Sequence, residues 1–349
     1  MKKNICIYKV LLLAMSFLSC TANQKDGITH FDWADVPEPI FLEGDSVAFD
    51  DILMMPTRIA VIDSFILMKN QNVERFFYLY NLNTKQKVGE RMPFGIGPNE
   101  VLDPVWVSMP DDCLGVFDRH KRRMQVYSKN SFFATDTASP IQQFAFNELL
   151  INPIFLPGQG VVSCTMQSDS NKFVAVGLDG NKTTYFGDYP YSYNDMTILE
   201  KNTAFMGDIA VKPDATRWVM MHKSTDMFEI YDNNLKLLKR IQGPDHIIPE
   251  VRETGEGIHR SAVSREAYFF PVAKKDYIYV LYDGRVYDIE DRTRYLRDKL
   301  FVFDWEGNLM KYYKLSKPIF HFDIDEEHGV LYGLSDNPEF HVLSFSLKE

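Results

Sequence analysis

Cysteine is nearly absent: the 349 residues hold four, and beyond Cys20 only Cys113 and Cys164 remain. No Cys-x-x-Cys spacing occurs, which argues against a structural zinc framework. Both later cysteines fall in strand-like runs, where buried free thiols are expected in place of a disulfide. Positive charge is also scarce, with 38 Lys and Arg against 48 Asp and Glu and a net charge of −10. Nucleic acids and anionic bilayers require clustered basic surface, so both are disfavoured as partners. Long apolar runs are missing too. Residues 10–18 are apolar, but that run is too short to cross a bilayer as a mature helix. No stretch beyond about ten residues keeps a clean helical period. His-Glu-x-x-His, Gly-x-Ser-x-Gly and Gly-Lys-Ser/Thr signatures are all lacking, which removes the simplest routes to a zinc, serine or nucleotide enzyme.

The N-terminus reads as a leader. Lys2 and Lys3 precede the apolar run, and Leu18-Ser19 stand directly before Cys20. This is the pattern of a lipoprotein signal, with residues 1–19 removed and Cys20 lipidated. Phe17 departs from the aliphatic residue usual at the first position of that pattern, which keeps cleavage by the ordinary signal peptidase as the alternative. Cleavage removes Lys2, Lys3 and Lys9 and no acid, so the mature chain is more acidic still. Residues 20–37 are expected to be the tether and 38–349 a single domain. The expected location is the cell envelope, by a lipid anchor in the outer membrane, with the facing side open.

PFGIGPNE (93–100) raises the question of a phosphate loop. Such a loop needs consecutive free N–H groups followed by a helix N-terminus. Pro98 removes one donor, and the following VLDPVWVSM suits a strand. Gly97 is expected at positive φ in a turn. A related LKRIQGPDH (238–246) marks the stretch as punctuation in a repeat.

Six segments share a strand that runs into a polar turn: FFYLYNLNTK (76–85), RMQVYSKNSF (123–132), KFVAVGLDGN (172–181), MFEIYDNNLK (227–236), LFVFDWEGNL (300–309) and FHVLSFSLKE (340–349). Their Asn, Asp and Gly residues suit tight hairpins. Two short strands precede each copy, as in DIAVKP and RWVMMH, and most copies are followed by an outer strand such as QKVGER. Four antiparallel strands repeated six times predict an all-β, six-bladed β-propeller. The sixth copy stops after three strands, so an N-terminal strand is expected to close it, with residues 38–43 the candidate.

GIGPNE (95–100), YVLYDGR (279–285), KLFVFDWEGNLMKYYKL (299–315) and FDIDEEHGVLYGLS (322–335) resemble the TolB-like six-bladed propeller lipoproteins of Gram-negative gut anaerobes. The resemblance spans nearly the whole mature chain. It implies the propeller fold and an exported binding scaffold, and it supplies no catalytic residues.

On a propeller, links between blades and links from second to third strand leave by one face. The long stretches 187–204, 243–266 and 283–298 are all of this kind and belong to neighbouring blades, so they are expected to form one surface. Their tyrosines and basic residues suit a recognition site, with Tyr191, Tyr193, Arg252, His259, Tyr287 and Arg294 as candidate ligand-binding residues. The opposite face is expected to carry only short turns. A protein or glycan is the expected partner, with no cofactor, metal or nucleic acid. The alternative is a periplasmic hydrolase or lactonase-like enzyme with a metal at the channel mouth. Asp118, Asp208, Asp323, Asp325, His222 and His321 are the polar candidates for it, but the inner strands carry no recurring acid, and Asp118 is expected in a solvated turn.

Overall fold

The structure is a computed structural model that describes residues 27–348 apart from 51–52, 72, 135–137, 169, 181, 191–194, 292 and 294. Six sheets contain the expected quartets, each running from an inner to an outer strand. Blade one comprises Pro56–Ile62, Phe65–Asn70, Arg75–Asn81 and Lys87–Pro93, and blades two to five follow from Pro104, Ile151, Gly207 and Tyr268. Blade six comprises His321–Asp325, Val330–Ser335 and His341–Ser346 with Gly44–Val47 from the N-terminal side.

Each blade is sandwiched between two others, so both faces of its strands are buried. In Arg217–His222, Trp218 and Met220 pack towards blade three while Val219 and Met221 pack towards blade five. That split follows from the two-residue period of a strand. Six apolar clusters result, one at each interface between blades. Each large apolar side chain buried there contributes about 1.5–3 kcal/mol, which holds the ring together without a central core.

Ring closure uses an N-terminal strand, but its residues differ from those expected. Gly44–Val47 pairs antiparallel with His341–Ser346. Ile40–Leu42, inside the expected 38–43 stretch, instead pairs in parallel with Leu309–Ile319 and widens blade five. Leu42 is buried there, while GDSV has little apolar character because an outer strand faces solvent. Gly44 is required at the start of the closing strand, where a Cβ would stand 2.5 Å from the Phe345 ring. Further upstream, Thr29–His30 pairs in parallel with the outer strand of blade four. The described part of 20–37 therefore lies along the propeller.

Three smaller expectations are corrected. The positive-φ glycine in GIGPNE is Gly95, at φ 152°, and Gly97 is not among the positive-φ residues. Glu100 folds back to accept the Gly97 N–H at 2.7 Å, and this sets the turn. Asp118 is buried and holds the neighbouring link by accepting the N–H groups of Leu102 and His120 at 2.8 and 3.0 Å. Finally, the face expected to carry only short turns holds the helix Lys129–Ala134, which buries Phe132 and Phe133. Cys113 and Cys164 are both free; Cys164 is buried, with burial pushing its thiol up to about 12, while Cys113 is partly exposed.

Candidate functional site

The three long links meet. Thr197 caps the helix Ile198–Ala204, and Glu200 closes the capping box. The Glu200 carboxylate also accepts the Glu253 N–H at 2.8 Å, and Thr197 donates to Glu253 at 2.6 Å, which docks the helix on the hairpin formed by Val251–Thr254 and Gly257–Arg260. Beneath them Ala204, Phe205 and Val251 form a small core with Tyr189. On the other side, Arg265 bridges to Val286 and the Tyr287 N–H donates to the Ser264 carbonyl at 2.7 Å. The Arg260 guanidinium lies 4.9 Å from the Tyr287 ring centre.

Tyr287 lies partly buried at the edge of a cleft of about 450 Å³ above blades five, six and one. Arg252 and His259 form an exposed cross-strand pair on the hairpin, away from the cleft lining. Tyr191, Tyr193, Arg294 and Cys20 lie outside the described residues.

Sequence reasoning missed most of the cleft. Phe269, Phe270, Tyr295, Phe320 and Phe340 supply its aromatic walls, and Lys223, Arg297, Glu266 and Asp336 its polar groups. Arg297 is buried with its guanidinium over the Phe269 ring, 3.3 Å from the ring centre, and pairs with Glu266 at 3.2 Å. Tyr295 donates to Asp336 at 2.5 Å. Apolar walls with a few fixed polar groups are the usual make-up of a ligand pocket.

Beside the cleft opens the central channel, with a volume of about 250 Å³. At its mouth three inner strands depart from regular pairing, between Pro56 and Arg58, between Ile151 and Ile154, and between Phe269 and Val272. Asn152 and Phe270 take positive φ there, at 52° and 54°. Bulges re-aim side chains, and backbone held in the left-handed region by its surroundings is concentrated at functional sites. Pro153 and Pro271 are the signals available in the sequence, since a proline inside an inner strand demands such a break.

The bulges converge on Asp208. Its carboxylate accepts from Asn152 Nδ2 at 2.8 Å and from the Phe270 N–H at 3.3 Å, and Lys223 Nζ lies 3.1 Å away. Burial alone would raise its pKa, but Lys223 and Arg58 together hold it below the ordinary carboxylate value. His321 packs against Phe270 in a tilted arrangement, with ring centres 4.5 Å apart, and its Nδ1 accepts the Ile59 N–H at 3.4 Å. Burial and the Arg58 charge push its pKa down to about 3, so the ring is neutral. Among the described residues, no three His, Cys, Asp or Glu side chains come together as metal ligands.

Six blades, each built on a four-stranded antiparallel quartet around a central channel, with the three long links on one face, define a six-bladed β-propeller. The family described as TolB-like 6-blade propeller-like matches residues 40–327, and the chain belongs to it. Two solved structures from Bacteroides share the fold. One, a Bacteroides fragilis protein provisionally described as exported, is 11% identical with a TM-score of 0.58, over 88% of this chain and 95% of that one. The other, a member of the duf4221 family from Bacteroides vulgatus, is 9% identical with a TM-score of 0.55, over 87% of this chain and 95% of that one. No curated protein matches the sequence.

Proposed function

We propose that this protein is a lipid-anchored, non-catalytic recognition scaffold of the cell envelope that binds a protein or a glycan through its long-link face. The observation that carries the reading is the cleft of about 450 Å³, walled by aromatics and framed by links that brace one another. Tyrosine and arginine at the centre of such a surface are the side chains that most often dominate binding energy, each worth about 2 kcal/mol or more on truncation. The Bacteroides fragilis structure, described as that of an exported protein, supports an envelope location, as does the leader sequence ending at Cys20.

Two measurements test this. Metabolic labelling with a fatty acid should mark the wild type and not Cys20→Ala, and the variant should leave the membrane fraction. The reading of Cys20 fails if the two proteins label and fractionate alike. For recognition, the protein should be presented to envelope proteins and to a glycan array. Tyr287→Ala combined with Tyr295→Ala should weaken whichever ligand is captured by about tenfold or more, with unfolding unchanged. Undiminished capture by a folded double variant would remove the cleft from the account.

A further inference from the structure

We propose that the channel mouth holds the carboxylate of a small amphipathic acid on Arg58, with the acid's apolar body lying in the adjoining aromatic cleft. The apolar body would lie in the same cleft that carries the proposed recognition face, so the inference rests on that reading for the cleft and goes beyond it at Arg58.

The positions come one from each blade: Arg58, Asp103, Asn152, Asp208, Phe270 and His321 stand at or just before the start of the six inner strands. Second-to-third-strand links and strand ends add Lys69, Arg119 and Lys223. At this end of the channel four cations thus stand with two carboxylates, while Asp323, further along the same wall, is paired with Lys274 at 3.2 Å. Both carboxylates are already taken. Asp103 lies 2.7 Å from Lys69 Nζ and accepts from Arg119 Nε at 2.7 Å. Asp208 is held by Lys223 and Asn152 at 3.1 and 2.8 Å.

Arg58 is the cation left over. Among the described residues its guanidinium has neither a hydrogen-bond acceptor nor a carboxylate at ion-pair distance, although it is partly buried and lines the channel. It feels Asp208 and Asp103 only at longer range, and Arg119 opposes them. A planar guanidinium in such a place is suited to a carboxylate, which it can bind through two parallel hydrogen bonds. His321 can add a third donor. Its Nδ1 accepts the Ile59 N–H, so the proton of the neutral ring sits on Nε2.

Charge and neighbourhood narrow the ligand. The surplus of positive charge rejects a cation. A phosphate would draw on several free cations, but Lys69, Arg119 and Lys223 are engaged, which favours an anion of single charge. A short path leads from this charge to the apolar cleft, because Phe270 lines both spaces and Phe320 directly precedes His321. A ligand with a flat apolar body therefore fits better than a bare anion or a hydroxyl-rich sugar.

Calorimetry on the full chain in a neutral detergent tests this with four probes: phenylacetate, phenylacetamide, acetate and inorganic phosphate. Phenylacetate is expected to bind saturably, with phenylacetamide and acetate each weaker by about tenfold or more. Arg58→Gln should reduce phenylacetate affinity to that of the amide, and Arg58→Lys should restore part of it. Phe340→Ala should weaken phenylacetate and phenylacetamide alike. No saturable phenylacetate binding, equal affinity for acid and amide, or displacement of the acid by equimolar phosphate would overturn the proposal. These outcomes are read on the wild type and stand even where an Arg58 variant fails to fold. Capture by the Tyr287→Ala and Tyr295→Ala variant reads macromolecular binding on its own, so failure of these small probes leaves that reading intact.

Discussion

Asn152 donates its side-chain amide to the Asp208 carboxylate at 2.8 Å, which ties blade three to blade four at the mouth of the channel. Lys223 and the Phe270 N–H bind the same carboxylate, so blade five is tied in as well. Asp208→Ala leaves those donors facing a cavity and should cost about 3 kcal/mol, in the range for breaking a buried charged network. Denaturant unfolding measures it, and a loss under about 1 kcal/mol would mean the hub is dispensable.

Between blades three and four, Lys172 and Glu229 form a buried ion pair, joined by Arg240 Nε at 2.6 Å. Burial alone would raise the Glu229 pKa, but Lys172, His222 and Arg240 hold it well below the ordinary value of 4.5. The folded value is depressed, so the stabilisation is complete above about pH 4.5 and is lost as pH falls through the folded value. Thermal melts should therefore drop on acidification below pH 4.5, and Lys172→Met should cost about 3 kcal/mol at neutral pH. An acid-insensitive melt would contradict the assignment.

Gly95 is the strained turn residue. A Cβ there would come within 2.0 Å of Glu100 Oε2, and φ is 152°. Gly95→Ala should lose about 1 kcal/mol or more, while Gly97→Ala should cost less. Equal losses would show that the turn is set differently.

Removal of the chain through Glu43 should be milder than removal through Val47. The first strips the added strands from blades four and five; the second also opens the last blade and leaves the outer edge of its third strand unpaired. Several lost ladder bonds should cost several kcal/mol in the longer deletion, seen as a large fall in melting temperature.

Much of this fold is legible in the sequence because each third strand is buried on both faces and ends in a turn rich in Asn, Asp and Gly. Phe228, Ile230 and Tyr231 carry that signal plainly, since any polar residue there would face a neighbouring blade. The closing strand is not legible: Gly44–Val47 is an outer strand, solvent tolerates its Asp and Ser, and the more apolar Ile40–Leu42 draws the assignment instead. The long links could be assigned to one face by topology alone. The cleft could not, because Phe269, Phe320 and Phe340 lie near strand ends and look like ordinary core until the ring brings blades five, six and one together. Asp208 was visible as a polar residue at a strand start, but its partners come from three other strands or links.

The central claim is that partners are met on the long-link face. A photo-crosslinking residue placed singly at Arg252, Tyr287, Asp214 or Glu327 tests it in the living cell. Arg252 and Tyr287 stand on that face, and Asp214 and Glu327 lie exposed in first hairpins on the other. Discrete crosslinked species should form from positions 252 and 287 and be missing from 214 and 327. Crosslinks arising equally or only from 214 and 327 would contradict the account.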